Sequence, residues 1–275
     1  MGRAIYVSSV NGDDANSGYA PEKAFRSLRK VNQMEIQPGD QILLERGSVF
    51  VGEYLHLYRG GTKEAPVVVD AYGEGALPRI ETDGNGIWYQ NYGGHLDNVV
   101  HIWKGYLSSA VLLYDAEYIS IRNLEITNNP CVQNERLNQA DRMNRTGVSV
   151  IAKNHGTLHE IELDHLYIHD VEGNIYDKHL NNGGIYMSVS RPDDEEKTGI
   201  ARYDGIHIHH CKVENCRRWG IAAGYTYQHD KFTTLELPDE VVKAYGSTNV
   251  VIEHNFVKDI GGDGITPMYC FEPLI

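Results

Sequence analysis

The 275-residue chain carries 38 acidic against 25 basic residues, a formal net charge of −13, which argues against nucleic acid and an anionic membrane surface as partners. Its 41% hydrophobic and 23% charged content is that of a folded chain, and no apolar run is long enough to span a bilayer. No apolar leader follows Met1, so the chain reads as cytoplasmic or as a processed secreted form.

In chain order, residues 4–8 read as a short strand, followed by the polar turn Asn11 to Gly18. Residues 21–34 place Phe25, Leu28, Val31 and Met34 on one helical stripe behind Pro21, and a helix there is expected to cap an open sheet end. Pro38-Gly39-Asp40 turns into residues 41–45, and residues 65–71 and 78–81 supply early, less regular strands. Residues 84–110 show no clear phase, and their aromatics Trp88, Tyr89, Tyr92, Trp103 and Tyr106 suit a loop cover or the wall of a sugar cleft.

From residue 119 a pattern recurs. Segments beginning at Ile119, Ile161, Ile206 and Val250 lie 42, 45 and 44 residues apart. Each alternates apolar residues with a phase slip, as in Ile206, Ile208, then Cys211, Val213, so each holds two short strands meeting at a corner. A third strand begins with glycine, at residues 147–150, 184–189, 220–224 and 264–268. Three strands per unit at near-constant spacing predict successive turns stacked about 4.8 Å apart around one apolar interior. The fold class expected is all-β, a single-stranded right-handed parallel β-helix with a short N-terminal capping helix. It forms one domain over 1–275, with strand and cap in 1–40 and coils in 41–275.

Two columns of like residues support stacking: Asn128, Asp170, Asn215, Asp259, and Asn123, His165, His210, His254. Such residues satisfy turn amides at corners, so the histidine column reads as structural and no metal is assigned. Cys131, Cys211, Cys216 and Cys270 lack metal-type spacing and read as small buried hydrophobes rather than a disulfide frame.

The opening Tyr6-Val7-Ser8, Asn11 to Gly18, Pro21 to Leu28 and Pro38-Gly39-Asp40, together with the recurring units, resembles right-handed parallel β-helix proteins of the pectate-lyase-like superfamily, closest to bacterial β-helix glycoside hydrolases. The resemblance implies a glycosidase, or the N-terminal part of one, acting on polysaccharide or oligosaccharide through paired carboxylates. It leaves two alternatives open: a polysaccharide lyase, for which calcium is the expected cofactor, and a non-catalytic carbohydrate-binding or structural β-helix. For a hydrolase no cofactor is expected.

Long loops flank the Gly-led strands and wall an expected groove, with Ser149, Tyr186, Ala222 and Thr266 pointing into it. Asp263, just before Gly264-Ile265, is the expected catalytic carboxylate, because the resemblance implies an acidic residue at such a junction. Its partner is sought among Asp141, Asp177 and Glu272. Substrate-binding residues are expected in Arg217 and Arg218 for a carboxylate, Trp219 and Tyr186 for a ring face, and His179 and Asn182 for hydroxyls. The chain stops at Glu272-Pro273-Leu274-Ile275, where another unit is expected to begin, so truncation at the C-terminus is expected.

Overall fold

The computed structural model describes residues 2–96, 101–129, 143–234 and 236–275. Among the described residues the strands form three sheets of seven, six and seven strands; the first two are wholly parallel, the third has six parallel strands and one antiparallel, and along each parallel run spatial order follows chain order. The first sheet includes Ile119–Arg122, Thr157–Asp164, Arg202–His209 and Thr248–Glu253. The second includes Glu125–Asn128, Tyr167–Val171, Lys212–Cys216 and Phe256–Ile260. The third includes Lys104–Tyr114, Asn144–Ala152, Gly183–Val189, Trp219–Thr226 and Asp263–Pro267. Ile87–Asn91 adds an antiparallel partner to Lys104–Tyr114.

The fold class expected from the sequence, a single-stranded right-handed parallel β-helix with an N-terminal capping helix, is corrected by this arrangement. The strands divide into three parallel sheets, an antiparallel strand joins the third, and no closed barrel forms among the described residues. Alternation and spacing report which residues face inward and how far apart successive strands lie, but not how strands are shared among sheets. The stripe at residues 21–34 is not one helix either. Pro21–Lys23 is a single 3-10 turn, Phe25 bridges to Val7, and only Leu28–Asn32 is α-helical. Phe25 and Leu28 therefore belong to different local elements although they share a helical period.

One apolar core joins the three sheets. Ile121, Leu163, Ile208 and Ile252 enter it from the first, Ile126, Ile168 and Val213 from the second, and Val148, Ile185 and Ile221 from the third. Between the first and second sheets the chain turns through Asn123, His165, His210 and His254, all left-handed at φ 57°, 49°, 52° and 54°. Asn tolerates that region best, and His more readily than β-branched residues. Asp170, Asn215 and Asp259 are also left-handed and drop out of the pairing, since His169 faces Glu214 and Val171 faces Cys216. Asn128 departs from this column: it pairs with Val171 and is fully buried.

The glycines that open the third-sheet strands have a steric cause. A Cβ on Gly184 would lie 2.6 Å from the Gly220 carbonyl oxygen and 2.5 Å from Val213 Cγ1, and one on Gly220 2.3 Å from the Gly264 carbonyl. The neighbouring strand approaches too closely for any side chain, so the row keeps the third sheet pressed against the second.

Candidate active site

Thr146, Gly183, Trp219 and Asp263 stand at the entry of successive third-sheet strands, with Thr146 facing Gly183 and Trp219 facing Asp263 in register. Asp263 is exposed, and its Oδ2 lies 3.8 Å from Arg218 Nη2. The Arg218 guanidinium sits 4.5 Å over the Trp219 ring, where the ring's negative face holds the cation. Arg218 is left-handed, φ 76°, and that turn separates it from Arg217, whose Nε donates 3.1 Å to Glu172. Arg218 therefore serves the junction and Arg217 braces a neighbouring loop.

Trp219 is buried against Tyr186, with ring centroids 6.1 Å apart at 69°. Its Nε1 and Arg218 Nε are buried with no hydrogen-bond partner among the described residues.

The loop at residues 173–182 folds over the outer side of the third sheet, and its polar side chains turn inward. Asp177 Oδ1 accepts from the His179 and Leu180 amides at 2.9 and 3.4 Å, and Oδ2 accepts from Asn144 Nδ2 at 2.8 Å. Burial raises the Asp177 carboxyl above its ordinary value, against the opposing pull of these donors and of the nearby Arg218 charge. Arg218 thus acts on two carboxylates in unlike surroundings, Asp263 in water and Asp177 buried.

Other expected binding residues are spent on this loop. Asn182 is fully buried, its Nδ2 donating to the Asn174 and Asp177 carbonyls and its Oδ1 accepting from the Arg145 amide. His179 is buried, stacked on His101 at 3.7 Å and beside Tyr225 at 4.7 Å. Tyr186, expected to offer a ring face, is fully buried and donates its hydroxyl to the Lys178 and His179 carbonyls. Ser149, Tyr186 and Ala222 do share one row with Thr266, but the first three are fully buried. Of the expected residues, the structure brings Asp263, Arg218, Trp219 and Tyr186 together, and holds His179 and Asn182 in the loop beneath.

Glu272 is elsewhere: Cys270 and Leu274 on either side of it bridge to Ser247 and Val251, along the first sheet. Asp141 and Cys131 lie outside the described residues. Cys211 and Cys216 are buried free thiols, pushed up to about 12 by desolvation. Sequence reading had no basis for the part played by Gln90. Its Nε2 donates to Asn181 Oδ1 and Ser188 Oγ, and its Oε1 accepts from the Asn181 amide, tying the antiparallel strand to the loop. Its sole signal was an amide amid aromatics in a stretch without phase.

Compared with known proteins, the chain is similar to a class of carbohydrate-active protein, the glycoside hydrolases of family GH136. Lacto-N-biosidase from Bifidobacterium longum subsp. longum is 40% identical over 310 aligned residues, which take in 100% of this chain and 19% of that protein. The crystal structure of the GH136 lacto-N-biosidase from Eubacterium ramulus, as its selenomethionine derivative, has 55% identity and a TM-score of 0.97 over 100% of this chain and 44% of that one. Its native form gives 56% identity and a TM-score of 0.95, over 98% and 43%. The chain thus spans less than half the length of each of these relatives. No protein-family model matches it.

Proposed function

We propose that this chain carries the glycosidic site of an oligosaccharide hydrolase, and that the reaction releases lacto-N-biose, the unit named in its relatives. Hydrolysis of a glycosidic bond calls for two carboxyl groups, one to protonate the leaving oxygen and one to act as nucleophile or base. Asp263 takes the second role, exposed to substrate, with its Oδ2 3.8 Å from Arg218 Nη2. Asp177 takes the first, because burial favours its protonated form. Arg218 orients Asp263, and the Trp219 ring beneath it holds the guanidinium in place.

The observation that carries this reading is the contrast between two carboxyl groups at one end of the third sheet, Asp263 exposed beside Arg218 and Asp177 buried in the loop. The experiment is turnover of an aryl lacto-N-bioside and of a natural lacto-N-biose-capped oligosaccharide. Asp263→Asn should lower kcat at least about 100-fold on both. Asp177→Asn should hurt the natural substrate far more than the aryl one, whose good leaving group needs little protonation. Full activity in Asp263→Asn, or equal losses on both substrates in Asp177→Asn, overturns the corresponding role.

A further inference from the structure

At the corner between the first and second sheets, two adjacent rows place side chains of unusual composition together. Asp164 and His209 are register partners at the ends of their strands, and His165 and His210, the next residues, stack at 4.8 Å and 12°. The corner column by itself contains Asn123, His165, His210 and His254; pairing across the sheet adds Asp164 and His209, which no column in the sequence associates.

The donor atoms converge. His209 Nδ1 lies 3.1 Å from Asp164 Oδ1, His210 Nδ1 lies 3.7 Å from the same oxygen, and the two ring nitrogens are 2.9 Å apart. A tetrahedral ion with bonds near 2.0–2.1 Å holds its ligands about 3.3 Å from one another. The three distances bracket that edge, so the three atoms outline one face of such a site. His165 Nδ1 lies 2.5 Å from Asp164 Oδ1, closer than that edge, and the donor atoms of Asp164, His165 and His210 all fall within 4.8 Å of one another, so a swing of the half-exposed His165 ring by most of an ångström would make it the fourth ligand.

Hydrogen bonding alone serves the cluster poorly. One proton at most fits between the His209 and His210 nitrogens, and two protonated rings would repel at 2.9 Å. A cation satisfies all the lone pairs together.

The surroundings match a ligated imidazole as well. His209 turns its other nitrogen, Nε2, to Glu162 Oε1 at 3.2 Å, and Ser120 Oγ holds Glu162 Oε2 at 2.6 Å. A carboxylate on the far nitrogen of a ligating histidine fixes its tautomer and raises its basicity. Asp164 and His209 are largely covered, whereas His165 and His210 are about half exposed, which leaves an entry path from solvent.

We propose that Asp164, His165, His209 and His210 form a binding site for a divalent transition-metal ion of the zinc class. Three nitrogens and one oxygen favour such an ion over calcium or magnesium, which take oxygen donors. The site lies at the sheet corner, apart from Asp263, and is independent of the glycosidase reading.

The test is equilibrium dialysis of the protein against Zn2+, with Co2+ as the spectroscopic probe. A single saturable ion per chain is expected, with visible Co2+ bands of tetrahedral character that Zn2+ abolishes and Ca2+ does not. Asp164→Ala and His209→Ala should lose the bands, and Glu162→Gln should weaken binding about 10- to 100-fold. His254→Ala, whose ring stacks on His210 at 5.2 Å and turns Nε2 to Glu253 at 3.7 Å, should leave it unchanged. Because Asp164 and His209 are partly buried, the exposed variant His210→Gln, with circular dichroism as a fold control, gives the reading if those two misfold. No saturable uptake, uptake indifferent to His210→Gln and Glu162→Gln, or equal displacement by Ca2+ overturns the proposal.

Discussion

Gly184→Ala isolates the contact between adjacent third-sheet strands. The added methyl would meet the Gly220 carbonyl oxygen at 2.6 Å and Val213 Cγ1 at 2.5 Å, against an ordinary contact near 3.4 Å or more, so each neighbour must retreat by most of an ångström. Neither gives cheaply: Gly220 is within a paired strand, and Val213 is fully buried in the core. Overpacking of this kind costs about 1–3 kcal/mol, and the involvement of backbone puts the expected loss near ~3 kcal/mol. For a chain of this size that is roughly 6–12 °C in melting midpoint. The assay is thermal or urea unfolding followed by far-ultraviolet circular dichroism, alongside Gly94→Ala, whose Cβ meets nothing within 4 Å and should change stability by less than about 0.5 kcal/mol. If Gly184→Ala melts with the parent protein, the steric account of the glycine row is refuted.

Other expectations follow from the same reasoning. Asn128→Ala removes partners from the Gly84 amide and the Thr146 carbonyl inside the fold, a loss of about 2–6 kcal/mol at roughly 1–3 per stranded group. Asn215→Ala, exposed and bonded to Asp170, gives up little packing but puts alanine in the left-handed region, which should cost about 1–2 kcal/mol in the same unfolding assay. His56 is buried, shares its Nε2 hydrogen with the Ser109 carbonyl, and is lowered from 6.5 to about 4 by desolvation. Between those values the unfolded chain binds the extra proton, so stability is complete above about pH 6.5 and falls as pH drops towards 4, by up to about 3 kcal/mol. His56→Gln should flatten that slope in pH-dependent urea titrations. Arg218→Gln removes the charge that lowers Asp177, so the alkaline limb of the activity profile, set by loss of the acid's proton, should move to higher pH while kcat falls about 10-fold or more.

Several local features could be seen in the sequence because they have a period. Ile121, Leu163, Ile208 and Ile252 all face the core as their alternation implies, and Gly147, Gly184 and Gly220 stand where two backbones nearly touch. The division into three sheets could not be seen, since alternation is the same whichever sheet a strand joins. The antiparallel strand Ile87–Asn91 was also hidden, its inward residues Trp88 and Gln90 being a large aromatic and an amide rather than aliphatic. In loops the direction of a side chain has no period at all. Asn182 and His179 suited sugar hydroxyls by composition, yet their surroundings draw them inward, whereas Asp263 meets Arg218 because Trp219, the next residue, is its register partner. Asp164 and His209 escaped notice for the opposite reason: their association depends on pairing 45 positions apart, and neither belongs to a column of like residues.

The amide lattice of Gln90, Asn181 and Asn182 bears on how quickly a ligand would be accommodated. A wall stitched to a neighbouring strand surrenders its conformational freedom when the chain folds, so little disorder remains to be lost on encounter. Backbone amides of residues 178–182 should then exchange slowly with deuterium even in the free protein, and a bound sugar should slow them hardly further.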